Sequence, residues 1–153
     1  MNSVVRTLIG FVVAVLLTYV FGAIFVSQGN LAQVAALGAD VGIEVTFADR
    51  VDAAIHDLTN MTGLYLPLVA VGLVIALPVA RLVIGFLPHL RLIGYTLSGF
   101  VAMIALHAIM EAVLGINGVA PTRFLDGLLL QGVAGGVGGL AFHYVTQAGT
   151  RTA

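Results

Sequence analysis

The sequence predicts an all-α integral membrane protein: four transmembrane helices in an antiparallel bundle, with a short amphipathic extracytoplasmic helix. Three observations carry that fold class. The 153-residue chain has a mean hydropathy of +1.12 and only 8% charged residues, against about 25% in a soluble globule. Four apolar runs are each long enough to cross a hydrocarbon core, which takes about 20 helical residues. The fourth run, Leu128 to Tyr144, places Gly132, Gly135, Gly136, Gly138 and Gly139 on one half of a helix and Leu129, Leu130, Val133, Val137 and Leu140 on the other. In water so much glycine would cost a helix about 1 kcal/mol per residue. In a bilayer the backbone must bond internally, and glycine then lets a neighbouring helix come close.

Composition also excludes several function classes. The absence of cysteine removes disulfides, thiolate metal sites and thiol redox chemistry. The net charge is −1 and the six basic residues are single, scattered arginines, so no basic patch fits a nucleic acid. The chain reads as one domain, 1–153.

The first span is expected at about 4–26. It is predicted to be retained rather than cleaved as a leader, because the charge-free run Leu8 to Val26 exceeds the usual apolar core of about 7–15 residues and no A-x-A-like site follows it. Its small residues Gly10, Ala14, Thr18 and Gly22 recur every fourth position, a small-xxx-small row suited to close helix packing. Gly72, Ala76 and Ala80 repeat the pattern in the second span, and Gly94, Ser98 and Ala102 in the third. In the fourth, Gly132 pairs with Gly136 and Gly135 with Gly139.

Residues 27–60 form the long polar connection, expected as an extracytoplasmic loop holding five of the seven acids. Within it Thr46 and Asp49 have capping-box spacing, and Val51, Ala54, Ile55 and Leu58 follow i, i+3, i+4, i+7. A short amphipathic helix is expected there at about 47–60, with a weak strand signal just before it. The second span is expected at about 61–86, with Pro78 bending it beside Arg81. The link Leu87 to Arg91 leaves room only for a hairpin into the third span, at about 92–114; a turn reaching Pro121 leads to the fourth, at about 122–146.

Alternating spans put Arg6, Arg81, Arg91 and Arg151 on one side, and Arg50, Arg123 and all seven acids on the other. The positive-inside rule then sets both termini in the cytoplasm, in a membrane of bacterial inner-membrane type. Tyr19, Phe25 and Tyr65 on the outer side, with Phe86, Tyr95 and Tyr144 on the inner, are expected in aromatic belts.

No motif for a nucleophile, a Walker loop or a metalloprotease helix is present, and the glycines of the fourth span lack the strand that a nucleotide site requires. The chemistry-bearing residues are His107 and Glu111, spaced i, i+4 on one face of the third span. Hairpin register sets them level with Arg123, Asp126 and Gln131 of the fourth, and Tyr65 lies at similar depth. Ionisable residues in a span cost on the order of 3 kcal/mol near the bilayer centre, which makes this outer polar cluster a candidate ligand or proton site. No cofactor or metal is assigned. His107 and His143 differ in depth by about twelve residues, or about 18 Å, too far to share one haem iron.

Three functional readings follow, in order. The first is a non-enzymatic, oligomeric binding or accessory module for a lipid, a lipophilic ligand or a partner membrane protein. Its expected partners are membrane lipids and further copies of the chain. The second is a small channel or proton-linked carrier through the polar cluster, although only Thr18, Ser98 and His143 continue it inward. The third is a membrane enzyme using His107 and Glu111 as an acid–base pair on a lipid or quinone.

Overall fold

The computed structural model describes residues 2–115 and 120–147, and no strand occurs among them. Helix α1 (Ser3–Gly38) opens on Asn2, whose side-chain oxygen accepts from the Val4 amide at 3.2 Å. It continues well past Val26, so residues 27–38, expected in a loop, are helical. Polarity there does not end the helix, because Ala, Leu and Gln are good helix formers and no proline intervenes. Ser27 Oγ donates to the Ile24 carbonyl at 2.9 Å, which lets a buried hydroxyl sit inside the helix. The helix stops at Gly38, and after a 3₁₀ turn (Ala39–Val41) the chain reverses through Gly42, whose φ of 75° suits glycine.

Helix α2 (Phe47–Asn60) begins in a complete capping box. The Asp49 amide donates to Thr46 Oγ1 at 3.3 Å, and the Thr46 amide donates to Asp49 Oδ2 at 2.8 Å. Three long-range hydrogen bonds fasten it to α1: Tyr19 Oη to the Leu58 carbonyl at 2.8 Å, Arg50 Nη1 to Gln28 Oε1 at 3.2 Å and Gln28 Nε2 to the Arg50 carbonyl at 3.1 Å. Leu58 packs against the core, whereas Phe47, Val51 and Ile55 stay exposed.

A second 3₁₀ turn (Met61–Gly63) leads into α3 (Tyr65–Phe86), which carries Pro67 in its first turn and continues through Pro78. After the turn Pro88–Leu90 comes α4 (Arg91–Leu114). It ends at Gly115, which adopts a left-handed φ of 62° and donates its amide to the Glu111 carbonyl at 3.0 Å. The centre of the expected turn from Gly115 to Pro121, residues 116–119, and Arg151 lie outside the described residues. A 3₁₀ turn (Ala120–Arg123) precedes α5 (Leu125–Gln147). Helices α1, α3 and α5, and α4 with its preceding turn, are long and apolar enough to cross a membrane.

Helix α5 packs most extensively on α4 and α1, while α3 is held by α4 and α1 and α2 by α1. The small residues Gly10, Ala14, Thr18, Gly22, Gly132, Gly135, Gly136 and Gly139 are all buried. At Gly135 an added Cβ would run into the Gly99 carbonyl and lie 2.5 Å from Met103 Cγ; at Gly139 it would meet the Tyr95 carbonyl. Here α4 and α5 touch backbone to backbone, an approach that side chains forbid. Gly138 makes a similar approach to α1, where a Cβ would strike Thr18 Oγ1 and come within 2.7 Å of the Ala14 carbonyl. Leu129, Leu130 and Val133 face outward.

The aromatic residues differ from the belt expectation. Tyr19, Tyr65 and Tyr95 are buried in the core, while Phe86 and Tyr144 are exposed. Each buried ring faces another ring, Tyr19 to Tyr65 at 5.9 Å between centroids and Tyr95 to Phe142 at 5.0 Å. At Tyr65 the absence of a side chain on Gly22 of α1 leaves the room that the buried ring and its hydroxyl occupy.

Candidate functional site

A tyrosine at the start of α3, a glutamine in α5 and a histidine in α4 converge inside the bundle. Tyr65, Gln131 and His107 are 4%, 1% and 4% exposed. The Tyr65 hydroxyl donates to Gln131 Oε1 in a short hydrogen bond, and Gln131 Nε2 donates to the Gly22 carbonyl at 3.2 Å. This chain runs α3 to α5 to α1. Gly22 makes room for it, since a Cβ there would collide with the Tyr65 hydroxyl and lie 3.0 Å from Gln131 Oε1. Buried polar groups that find partners stabilise the packing that brings them together, by about 0.5–1.5 kcal/mol per bond.

His107 is oriented by its own helix. Its Nδ1 lies 2.8 Å from the Met103 carbonyl. A carbonyl only accepts, so Nδ1 carries the proton and Nε2 of the neutral ring is left as an acceptor. The imidazole ring stands 6.3 Å from the Tyr65 ring, centroid to centroid.

Tyr65 and His107 form the polar end of a cleft of about 230 Å³ whose other walls are Asn60, Met61, Leu64, Leu68 and Met110. Through Leu68 and Met110 the cleft runs on into an apolar groove of about 370 Å³ between α3 and α4, floored by the small residues Gly72, Ala76, Ala102 and Ala105. Ala76 and Ala102 join this to a second apolar groove of about 420 Å³, which reaches Ile84 and Gly94. The small-residue rows of α3 and α4 thus face each other across an open channel along the outside of the bundle.

Of the six residues that sequence spacing groups together, the structure unites Tyr65, His107 and Gln131. Glu111, Arg123 and Asp126 are exposed, and among the described residues no hydrogen bond or ion pair links them to that trio. Asp126 lines a different groove, of about 320 Å³, with Phe25 and Gly29 of α1. Helix α5 turns Asp126 toward α1 and Gln131 into the core. Among the described residues no three His, Asp or Glu side chains gather as a metal site. Sequence reasoning missed Asn60, Met61, Leu64 and Leu68. These wall residues carry no chemical signature, and only the path of the chain after α2 brings them to His107.

Of the polar groups farther along the bundle, Ser98 Oγ donates to the Tyr95 carbonyl at 2.9 Å, whereas Thr18 Oγ1 is buried against Gly138 with no hydrogen-bond partner among the described residues. The cleft presents an imidazole ring bonded to its own helix beside mostly apolar walls.

Fold and site together define a helical protein whose four long apolar helices are compatible with an integral membrane protein. No protein-family model, curated protein or solved structure matches the chain.

Proposed function

We propose that this protein is a non-enzymatic membrane-embedded module that binds a lipid or lipophilic molecule along α3 and α4, seating a hydrogen-bond-donating head at His107. One observation carries the reading: the polar-ended cleft shares its walls Leu68 and Met110 with an apolar groove. At about 230 Å³ the cleft is smaller than the 300–1,000 Å³ typical of a whole small-molecule site. It suits the end of an elongated amphiphile, such as a hydroxyl group, whose tail then lies against Gly72, Ala76 and Ala102. His107 Nε2 is the acceptor for that hydroxyl.

In this reading the four apolar helices form an antiparallel bundle in a bacterial-type inner membrane, with both termini cytoplasmic, an orientation that the arginine distribution supports. Helix α2 lies at the extracytoplasmic surface, its exposed Phe47, Val51 and Ile55 dipping among headgroups. Helix α4 packs on both α3 and α5 within one chain. Assembly into homo-oligomers, or with a partner membrane protein, would use the remaining surface.

Native mass spectrometry of protein extracted in mild detergent tests the proposal. Wild type should retain a lipophilic adduct that is lost in Met110→Trp, where an indole fills the cleft, with the oligomeric state read from the same spectrum. An identical adduct in both forms, or none in wild type, would refute it.

A further inference from the structure

The end of the bundle opposite His107 holds a further cavity, of about 400 Å³, whose walls carry hydrogen-bond donors and positive charge. Three arginines on three helices line it: Arg6 of α1, Arg81 of α3 and Arg91 of α4. Hydroxyl side chains of Ser3, Thr7 and Thr146 line it as well, and no Asp or Glu does. Three guanidinium groups around one cavity repel each other, and among the described residues that line it no carboxylate offsets that.

Arg91 is also held in place. Its Nη2 donates to Thr146 Oγ1 at 2.9 Å, and its guanidinium carbon sits 5.7 Å from the Tyr95 ring centroid. Thr146 in turn donates to the Phe142 carbonyl at 2.7 Å, which fixes its oxygen as the acceptor. A braced, stacked arginine presents its remaining N–H groups in a rigid fork, the geometry that phosphate oxygens accept.

We infer that this cavity binds a phosphate oxyanion, and that the phosphate is the headgroup diester of an anionic membrane lipid. Continuity with the membrane-facing groove selects the lipid over a free phosphate. Ile84 lines both the arginine cavity and the apolar groove between α3 and α4, so a headgroup held by the arginines has a path for its acyl chain. Basic pockets between helices on the cytoplasmic side of a membrane have the right charge and depth for such headgroups. The site is separate from the His107 cleft and stands whether or not that cleft binds a ligand.

The experiment places wild type and Arg6→Gln/Arg81→Gln in nanodiscs of phosphatidylcholine containing a minor fraction of phosphatidylglycerol, and reads retained lipid by native mass spectrometry. Arg91 is left intact because it braces Thr146. Wild type should retain phosphatidylglycerol preferentially, and the double variant should bind it about 30-fold more weakly, from the loss of two interfacial charges. Melting in pure phosphatidylcholine discs should match between the two forms. A second measurement uses wild type alone: phenylglyoxal labelling of Arg6 and Arg81 should be suppressed in discs with phosphatidylglycerol and not by millimolar inorganic phosphate in phosphatidylcholine discs. Protection by inorganic phosphate with no lipid retained would overturn the lipid assignment. Equal retention of both lipids, or unchanged retention in the double variant, would overturn the site.

Discussion

Gly135→Ala isolates the backbone contact on which the packing of α4 against α5 depends. The new Cβ would lie inside the radius of the Gly99 carbonyl oxygen, 2.8 Å from the Gly99 carbonyl carbon and 2.5 Å from Met103 Cγ. Ordinary carbon contacts are about 3.5–4.0 Å, so the helices must part by roughly 1 Å. Met103 can rotate away, but the Gly99 carbonyl cannot. Parting also loosens the neighbouring contact of Gly139 with Tyr95. Overpacking of this kind costs about 1–3 kcal/mol, and with backbone on the receiving side the upper half of that range applies. Alanine's helix propensity offsets up to about 1 kcal/mol, which leaves a net loss of about 1–2 kcal/mol, or a fall in Tm of several degrees for a chain of this size. Gly136→Ala is the internal control. The nearest atoms to its Cβ are 3.6–3.8 Å away on Thr96 and Phe100, an ordinary contact, so it should be neutral or slightly stabilising. Thermal unfolding in detergent, followed by loss of the monodisperse peak on size exclusion, measures both. If Gly135→Ala melted at or above Gly136→Ala, the backbone contact would be wrong.

Further perturbations reach other parts of the molecule. Tyr65→Phe removes the donor to Gln131 and leaves a buried acceptor unpaired; a loss of about 1–2 kcal/mol is expected in the same melting assay, and no loss would show that the hydrogen bond contributes nothing. Tyr19→Phe unties α2 from α1 at Leu58, so amide exchange at residues 58–64 should quicken while that of α5 is unchanged. Hydrogen bonding from Thr46 holds the Asp49 carboxyl below its ordinary pKa. A depressed folded-state pKa gives stability that is full above the ordinary carboxylate range and disappears as pH falls through the lowered value. The first turn of α2 should therefore loosen on acidification in wild type, as read by amide exchange corrected for intrinsic rates. In Thr46→Ala it should be loose at neutral pH and respond less to acid.

The four apolar runs and the glycine stripe of α5 could be read from composition and spacing, because bilayer thickness and helix period act on local sequence. The extension of α1 to Gly38 could not, since Ser27 and Gln28 look like loop residues until Ile24 and Arg50 supply their partners. The site was legible in part for the same reason. Hairpin register brings Gln131 to the depth of His107, but depth does not say which way a side chain points. That direction sends Asp126 toward α1 and leaves Glu111 exposed. Rotation about a helix axis is set by which small residues its neighbours supply, and Gly22, Gly99 and Gly135 settle it here through contacts far apart in the chain.

The measurement that bears most directly on the proposed function is photocrosslinking with a long-chain alcohol carrying a diazirine near its hydroxyl, followed by mapping of the labelled peptides. Labels are expected on Met61, Leu64, Leu68 and Met110, falling sharply in His107→Leu, which keeps the cleft apolar and removes the acceptor. Labelling spread evenly over the lipid-facing surface of α1, α3, α4 and α5, or unchanged in His107→Leu, would contradict a binding site at the cleft.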